Sequence, residues 1–273
     1  MPNFYTKLSQ ASQKNQSLLC VGLDPDPNQM AIKDISDFNK RIIDATSDLV
    51  CCYKPNLAFY ESMGIDGLKA LEKTLNHIPE YIPVIGDAKR GDVSSTAKAY
   101  AEAMFNYWHF DATTVNPYLG KDSLDPFIDY KDKGVLILCR TSNPGATVFQ
   151  DLRVPHEGTT ISLYEKIALT AQDWNRNGNI GLVVGATYPD ELEKIRTISQ
   201  DMFILAPGVG SQGGDLESTI HLGASPTTAN IAINVSRSLL YASEDPHTFA
   251  DASRDVARTI RDRINVARSK IAL

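Results

Sequence analysis

A closed barrel of eight parallel strands with a helix after each, the (β/α)8 or TIM-barrel form of the α/β class, is the fold this sequence predicts. Three observations predict it. Eight short apolar runs recur along the 273 residues. The segments between them carry apolar residues at helical spacing. No Gly-x-Gly-x-x-Gly follows the first run, as an open dinucleotide-binding sheet would require.

The runs are Leu18–Leu23, Leu49–Lys54, Ile82–Asp87, Ala112–Asn116, Val135–Cys139, Gly181–Gly185, Phe203–Ala206 and Ile231–Val235. Each is short, apolar or β-branched, and closed by Gly, Pro, Asp or Asn, as a strand buried on both faces should be. Between them, Ile35, Phe38 and Ile42 form one helical stripe, and Leu163, Ile167, Ala171 and Trp174 another. A helix is expected over roughly Ser94–Trp108, and a last one along Val256, Ile260, Ile264 and Ile271 after a Ser or Asp cap. Strict alternation of strand and helix means a parallel sheet, because parallel strands need a crossover. Eight such units suit closure. The gap between the fifth and sixth runs holds about twenty extra residues around Asn143–Thr160, read as an elaborated loop over one end of the barrel rather than a second domain.

Composition fits one barrel domain over residues 1–273: the chain is 42% hydrophobic, enough for a large core, with no linker or repeat beyond the strand–helix unit. The net charge of −6, with no extended basic run, argues against a nucleic-acid or anionic-membrane partner. No apolar stretch approaches the roughly 20 residues of a membrane span, and MPNFYTKLSQASQKNQ lacks a signal peptide's basic and apolar regions. A cytoplasmic protein is expected. Cys20, Cys51, Cys52 and Cys139 all fall in apolar runs without zinc-like spacing, so buried reduced thiols and no metal site are expected. The five histidines sit in no triad-like context.

In such a barrel the site forms at the carboxyl ends of the strands. The polar residues there are Asp24, Lys54, Asp87 with Lys89, Asn116, Arg140 to Asn143, Gln212 and Arg237. Charged groups at the ends of apolar strands need partners or ligands, since burying one alone costs several kcal/mol. The third run carries Asp87-Ala-Lys89-Arg-Gly-Asp92. Pleating places Asp87 and Lys89 on one face, towards the barrel mouth. The plainer alternatives are a structural Asp87–Lys89 ion pair and an Asp92 or Ser94 helix cap. Lys54 would join the cluster as an alternating Lys–Asp–Lys–Asp array. A lysine flanked by carboxylates stays protonated, and so suits a proton donor rather than a Schiff-base nucleophile. A second constellation, the glycine-rich turn Pro207–Gly214 with Arg237 after the last strand, has the chemistry of a phosphate site.

Six motifs in order resemble the orotidine 5′-monophosphate decarboxylase family, in a bacterial-type branch. They are Val21-Gly-Leu-Asp24, Tyr53-Lys54-Pro-Asn56, Asp87-Ala-Lys89-Arg-Gly-Asp92 with Thr96, Thr141-Ser142-Asn-Pro-Gly145, Pro207-Gly-Val-Gly210 with Gln212, and Val235-Ser-Arg237. The resemblance implies decarboxylation of orotidine 5′-monophosphate to UMP in pyrimidine biosynthesis, without a cofactor. It implies that Asp24 and Lys54 bind ribose hydroxyls, Asp87 lies against the substrate carboxylate, and Lys89 protonates C6. Asp92 and Thr96 would enter the neighbouring site of a homodimer. Ser142 would read the pyrimidine, and Gln212 with Arg237 would hold the phosphate. One departure is the absence of a tyrosine near Gln212-Gly213-Gly214-Asp215, where larger family members carry one. Two alternatives stay open: a Mg²⁺-dependent sugar-phosphate decarboxylase or synthase sharing DxKxxD, and a catalytically inactive nucleotide-binding protein.

Overall fold

The computed structural model describes residues 2–209, 214–225 and 227–271. Eight parallel strands follow one another: β1 Leu19–Leu23, β2 Cys52–Pro55, β3 Ile85–Arg90, β4 Ala112–Val115, β5 Gly134–Arg140, β6 Ile180–Val184, β7 Phe203–Pro207 and β8 Ile231–Val235. Their order in the sheet is β2-β1-β8-β7-β6-β5-β4-β3. The remaining seam, β2 to β3, is bridged at Tyr53↔Val84 and Asn56↔Asp87, with the Tyr53 N–H donating to Pro83 O at 3.1 Å. The sheet is thereby a TIM barrel, as expected.

Period-two alternation sorts the side chains into two cores. On β1, Leu19, Val21 and Leu23 pack outwards under the helices, while Cys20 faces the barrel axis; on β5, Val135 and Ile137 face out and Leu136 in. The axial core is completed by residues such as Cys52, Ile85, Ala112, Val183, Leu205 and Ala232. Small thiols and methyl groups alternate there with larger aliphatics, as a tapering barrel interior needs. All four cysteines are buried and unbridged.

The helix Phe4–Asn15 was not anticipated. Its only core stripe is Phe4, Leu8 and Ala11 on an otherwise polar segment, and Asn3 caps it by accepting from the Thr6 N–H. It plugs the amino-terminal end of the barrel. The Phe4 ring meets Phe203 edge-on at 5.7 Å, and Lys7 pairs with Asp111 at 2.9 Å. Gly134 makes room for that ring, since a Cβ there would lie 2.4 Å from Phe4 Cδ1.

Several boundaries differ from expectation. Leu49 and Val50 are buried but precede β2, and Pro83, which has no N–H to pair, delays β3 to Ile85. The helix from Ser94 turns π-helical at Ala103–Tyr107 and stops at His109, which has φ +56°. The last helix, Phe249–Ser269, starts at Thr248 without a side-chain cap and ends before Ile271. The long loop after β5 holds a short helix, Thr147–Gln150, and an antiparallel hairpin, Arg153–His156 with Thr159–Ser162. A capping box at Ser162 and Glu165 fastens that hairpin to the helix Leu163–Trp174. Among the described residues no helix is long and apolar enough to cross a membrane.

The plug makes a packing prediction. Gly134→Ala drives a methyl group into the Phe4 ring and should lower stability by about 1–3 kcal/mol in urea unfolding. The loss should shrink in a Phe4→Leu background. An equal loss in both backgrounds would mean that the ring is not what Gly134 accommodates.

Candidate active site

The inward positions of the first four strands change character towards their carboxyl ends. One step above the apolar layer of Cys52, Ile85 and Ala112 stand Lys54, Asp87 and Thr114. Lys54 Nζ donates to Asp87 Oδ2 at 2.8 Å, and Lys89 Nζ to Asp87 Oδ1 at 2.6 Å. Thr114 Oγ1 also donates to Asp87 Oδ1 at 2.9 Å and accepts from the Lys89 N–H at 2.9 Å. Asp24 Oδ1 lies 4.0 Å from Lys54 Nζ. Two ammonium and two carboxylate groups thus form a chain, Asp24–Lys54–Asp87–Lys89, across three strands.

The expected pairing of Asp87 with Lys89 is present, but regular pleating is not its cause. The β3–β4 register shifts between Gly86 and Arg90, and Lys89 adopts φ +49°. A left-handed conformation at a residue with a long side chain is uncommon and costs about 1–3 kcal/mol. Here the shift re-aims a charged side chain, as bulges beside sites do. The two lysines also differ in access. The Lys54 side chain is 4% exposed and that of Lys89 49%. Lys54 lines the cavity but is nearly buried against carboxylates, whereas Lys89 has far more surface facing the cavity.

Burial alone pushes the Asp87 carboxyl up, but the ammonium groups of Lys54 and Lys89 outweigh it and hold the group far below the ordinary carboxylate range. For Lys54, burial pushes the ammonium down, and Asp87 and then Asp24 more than reverse this, raising it above its usual value. Both members are charged at neutral pH.

Asp24 ends β1. Its Oδ2 accepts from Ser236 Oγ at 2.6 Å, and its backbone carbonyl from the Tyr241 hydroxyl at 2.8 Å. Its Oδ1 is buried with no hydrogen-bond donor, which is unusual for a carboxylate oxygen. A donor hydroxyl on a ligand would satisfy it.

These groups open on a cavity of about 1020 Å³ lined by Asp24, Lys54, Asp87, Lys89, Ser142 and Arg237 among others. Six of the nine residues singled out from sequence therefore meet in one place. Asp92 and Thr96 do not line it. Asp92 is half-buried and accepts from the Val93 N–H at 2.7 Å, and Thr96 is exposed on the first turn of the helix Ser94–Glu102. The expected Asp92 or Ser94 cap is not formed: the N-cap is Val93, with no side-chain bond. Gln212 lies outside the described residues. Arg140 is buried behind the cavity wall, and Arg90 pairs with Glu61 and lies over the Tyr100 ring at 5.1 Å. Sequence reasoning passed over Thr114 and carried Ser236 only as a member of the Val235-Ser-Arg237 motif, with no role of its own. The usable signal for Thr114 was a hydroxyl in a fully buried strand, which must find a partner. Among the described residues no group of three or more His, Cys, Asp and Glu side chains is placed to hold a metal ion.

Residues 17–252 match the model of the "Orotidine 5'-phosphate decarboxylase / HUMPS family". The chain belongs to this family. It is 49% identical over 277 residues to the orotidine 5′-phosphate decarboxylase of Thermomicrobium roseum, covering 99% of this chain and 98% of that relative. Among solved structures, the OMP decarboxylase of Leishmania donovani superposes with a TM-score of 0.86 at 39% identity, over 97% of this chain and 98% of that one. The UMP synthase of the same organism gives a TM-score of 0.89 at 40% identity; this chain covers 57% of its length. Family membership accounts for the conjunction of barrel, charged array and glycine-rich turn in one chain.

The array predicts a pH signature. Because the folded Asp87 pKa is depressed, the stability it contributes is complete above the unfolded carboxyl pKa of about 4 and is lost as pH falls below that towards the folded value. Asp87→Asn leaves two lysines facing each other without their anion and should cost about 3–5 kcal/mol at pH 7. Denaturant titrations should show the gap between wild type and variant closing below about pH 4. A gap independent of pH would mean that Asp87 is not held as an anion.

Proposed function

We propose that this chain decarboxylates orotidine 5′-monophosphate to UMP, as one barrel domain acting in the cytoplasm and as a homodimer. The observation that carries the reading is the Asp24–Lys54–Asp87–Lys89 chain at the mouth of a barrel whose sequence matches orotidine 5′-phosphate decarboxylases over nearly its full length.

In this reading Arg237, with Gln212, holds the phosphate, the unsatisfied Asp24 Oδ1 and Lys54 receive ribose hydroxyls, and Ser142 meets the pyrimidine. The C6 carboxylate then lies beside Asp87. Breaking the C6–carboxylate bond releases CO2 and leaves its electron pair on C6, in an orbital that does not conjugate with the ring carbonyls. A fixed cation next to C6 stabilises that pair. Lys89, half-exposed and lining the cavity, is read as that cation. Its ammonium gives one proton to C6, forming UMP, and is recharged from water. Repulsion between Asp87 and the departing carboxylate adds to the driving force; Coulomb's law gives on the order of 4 kcal/mol for unit charges 4 Å apart at an effective dielectric of 20. That corresponds to about three decades of rate at most, so most of the acceleration must come from elsewhere. Phosphate and ribose contacts, remote from C6, supply it by orienting the base.

Asp92 and Thr96 find no place in their own site. We read them as contributions to the neighbouring subunit's site, from a helix face that also leaves Val93 and Tyr107 exposed. The array as seen in one chain is then missing its last carboxylate.

Purified protein with EDTA should bleach the orotate chromophore and yield UMP. Turnover only after Mg²⁺ addition would favour the sugar-phosphate branch, and nucleotide binding without turnover an inactive binder. Lys89→Ala should lower kcat by at least about a thousandfold while nucleotide affinity changes far less; near-normal kcat would remove Lys89 from the proton-donor role. Mixing inactive Lys89→Ala and Asp92→Asn chains should restore activity, since each hybrid dimer regains one site with both native residues. A mixture no better than its components would argue against shared sites.

A further inference from the structure

Arg140 ends β5 and is one of the largest fully buried side chains, at 1% exposure, yet it does not line the cavity. A buried guanidinium needs its charge met; the Arg140 Nε has no hydrogen-bond partner, and the charge is met at the two Nη groups. Its partners come from separate elements. Nη2 lies 3.2 Å from Asp151 Oδ1 and 3.7 Å from Glu191 Oε1. Nη1 donates to Gln150 Oε1 at 3.4 Å. The guanidinium carbon sits 4.0 Å from the Tyr188 ring centroid and 5.6 Å from that of Tyr164. Asp151 and Gln150 belong to the long loop after β5, Tyr188 and Glu191 to the turn and helix after β6, and Tyr164 to the helix Leu163–Trp174.

The contacts continue from Arg140 to Ser142. Gln150 Oε1 also accepts from the Thr141 N–H at 2.9 Å, and Gln150 Nε2 donates to Thr141 Oγ1 at 2.9 Å. Thr141 Oγ1 donates in turn to Asn143 Oδ1 at 2.7 Å. Ser142, between them, rests on Gly185, where an added Cβ would lie 3.0 Å from the Ser142 backbone. The Gly185 N–H donates to Arg140 O at 2.7 Å. The Arg140 guanidinium thus holds Gln150 and Asp151 of the loop that supports Thr141, while the glycine behind Ser142 is held by the Arg140 backbone carbonyl alone.

We propose that Arg140 is a positioning residue for pyrimidine recognition: held by Asp151, Glu191 and Tyr188, it sets the Thr141–Asn143 segment so that Ser142 meets the base, without itself touching the nucleotide. This rests on the reading of Ser142 and the cavity given above. Recognition of the base then depends on a planar cation that meets two loops at once, while the ribose contacts of Asp24 and Lys54, after β1 and on β2, do not pass through it.

The test separates base recognition from the rest of the ligand. Affinities for UMP and for ribose 5-phosphate are measured on wild type, Arg140→Met and Arg140→Lys. Arg140→Met should weaken UMP on the order of tenfold to a hundredfold, the scale of a misplaced positioning group. Ribose 5-phosphate affinity should stay within about threefold. Arg140→Lys keeps the charge and should recover part of the loss. Equal weakening of both ligands, or of neither, in folded protein overturns the proposal. Should Arg140→Met not fold, the double variant Asp151→Asn with Glu191→Gln, both at less buried sites, must show the same base-selective loss in smaller degree; an unchanged UMP to ribose 5-phosphate ratio there overturns it as well. Failure of the wild type to bind UMP would instead strike the underlying functional reading.

Discussion

The Asp87 carboxylate, held between Lys54 and Lys89, is the constraint around which this barrel is arranged. It lies at the seam where β2 and β3 meet, the one place where regular strand pairing is reduced to isolated bridges at Tyr53↔Val84 and Asn56↔Asp87. The Lys54–Asp87 ion pair crosses that seam at 2.8 Å with both side chains nearly dehydrated. A barrel without edges needs every neighbour joined, and here side chains join what the backbone leaves thin. The same residues carry the charge of the site, so closing the fold and building the array are one act. The left-handed Lys89 and the shifted register of β3 follow: the strand gives up regular pairing with β4, and Thr114 repairs it by bonding both the Lys89 N–H and Asp87.

The alternation that fills the barrel also places the site. From Cys52 to Lys54, Ile85 to Asp87 and Ala112 to Thr114, a step of two residues carries each strand from an apolar axial layer to a polar one. The aromatic plug at Phe4 and the small axial thiols keep the lower layer dry. That dryness lets the ion pairs above act at short range without bulk water beneath them.

Much of this was legible in the sequence because parallel strands buried on both faces write themselves as apolar runs. What those runs report is burial rather than pairing, which is why Leu49 and Val50 read as strand though they precede it. Lys54, Asp87 and Asp24 were legible as charges at strand ends. The geometry joining Asp87 to Lys89 was not, since a positive φ at lysine has no local signature. The helix Phe4–Asn15 escaped notice because it is held by three apolar contacts and an ion pair to Asp111, none of which is close in sequence. Arg140 was visible at the end of its strand, but its meaning lies in Asp151, Tyr188 and Glu191, which only the fold assembles. Asp92 and Thr96 were legible as motif members, and a single chain gives them no ligand-facing role.

The charge balance of the array explains why it suits the proposed reaction. Two carboxylates and two ammonium groups of one chain sum to zero, and the neighbouring subunit's Asp92, in the proposed reading, adds one further negative charge before substrate arrives. In the proposed reaction the substrate would add one negative charge beside Asp87 as its carboxylate. When CO2 leaves, that charge remains as the electron pair on C6, a short distance from where it began. The local field therefore faces the same total charge before and after bond breaking, and only its position changes. Dipoles and ions already fixed by Thr114, Ser236 and the strand ends need not reorganise. What differs between the two states is distance to Lys89, the lysine left accessible when Lys54 was buried. Differential stabilisation of the transition state then rests, in the proposed reaction, on the Lys89 ammonium within an otherwise fixed array of charges.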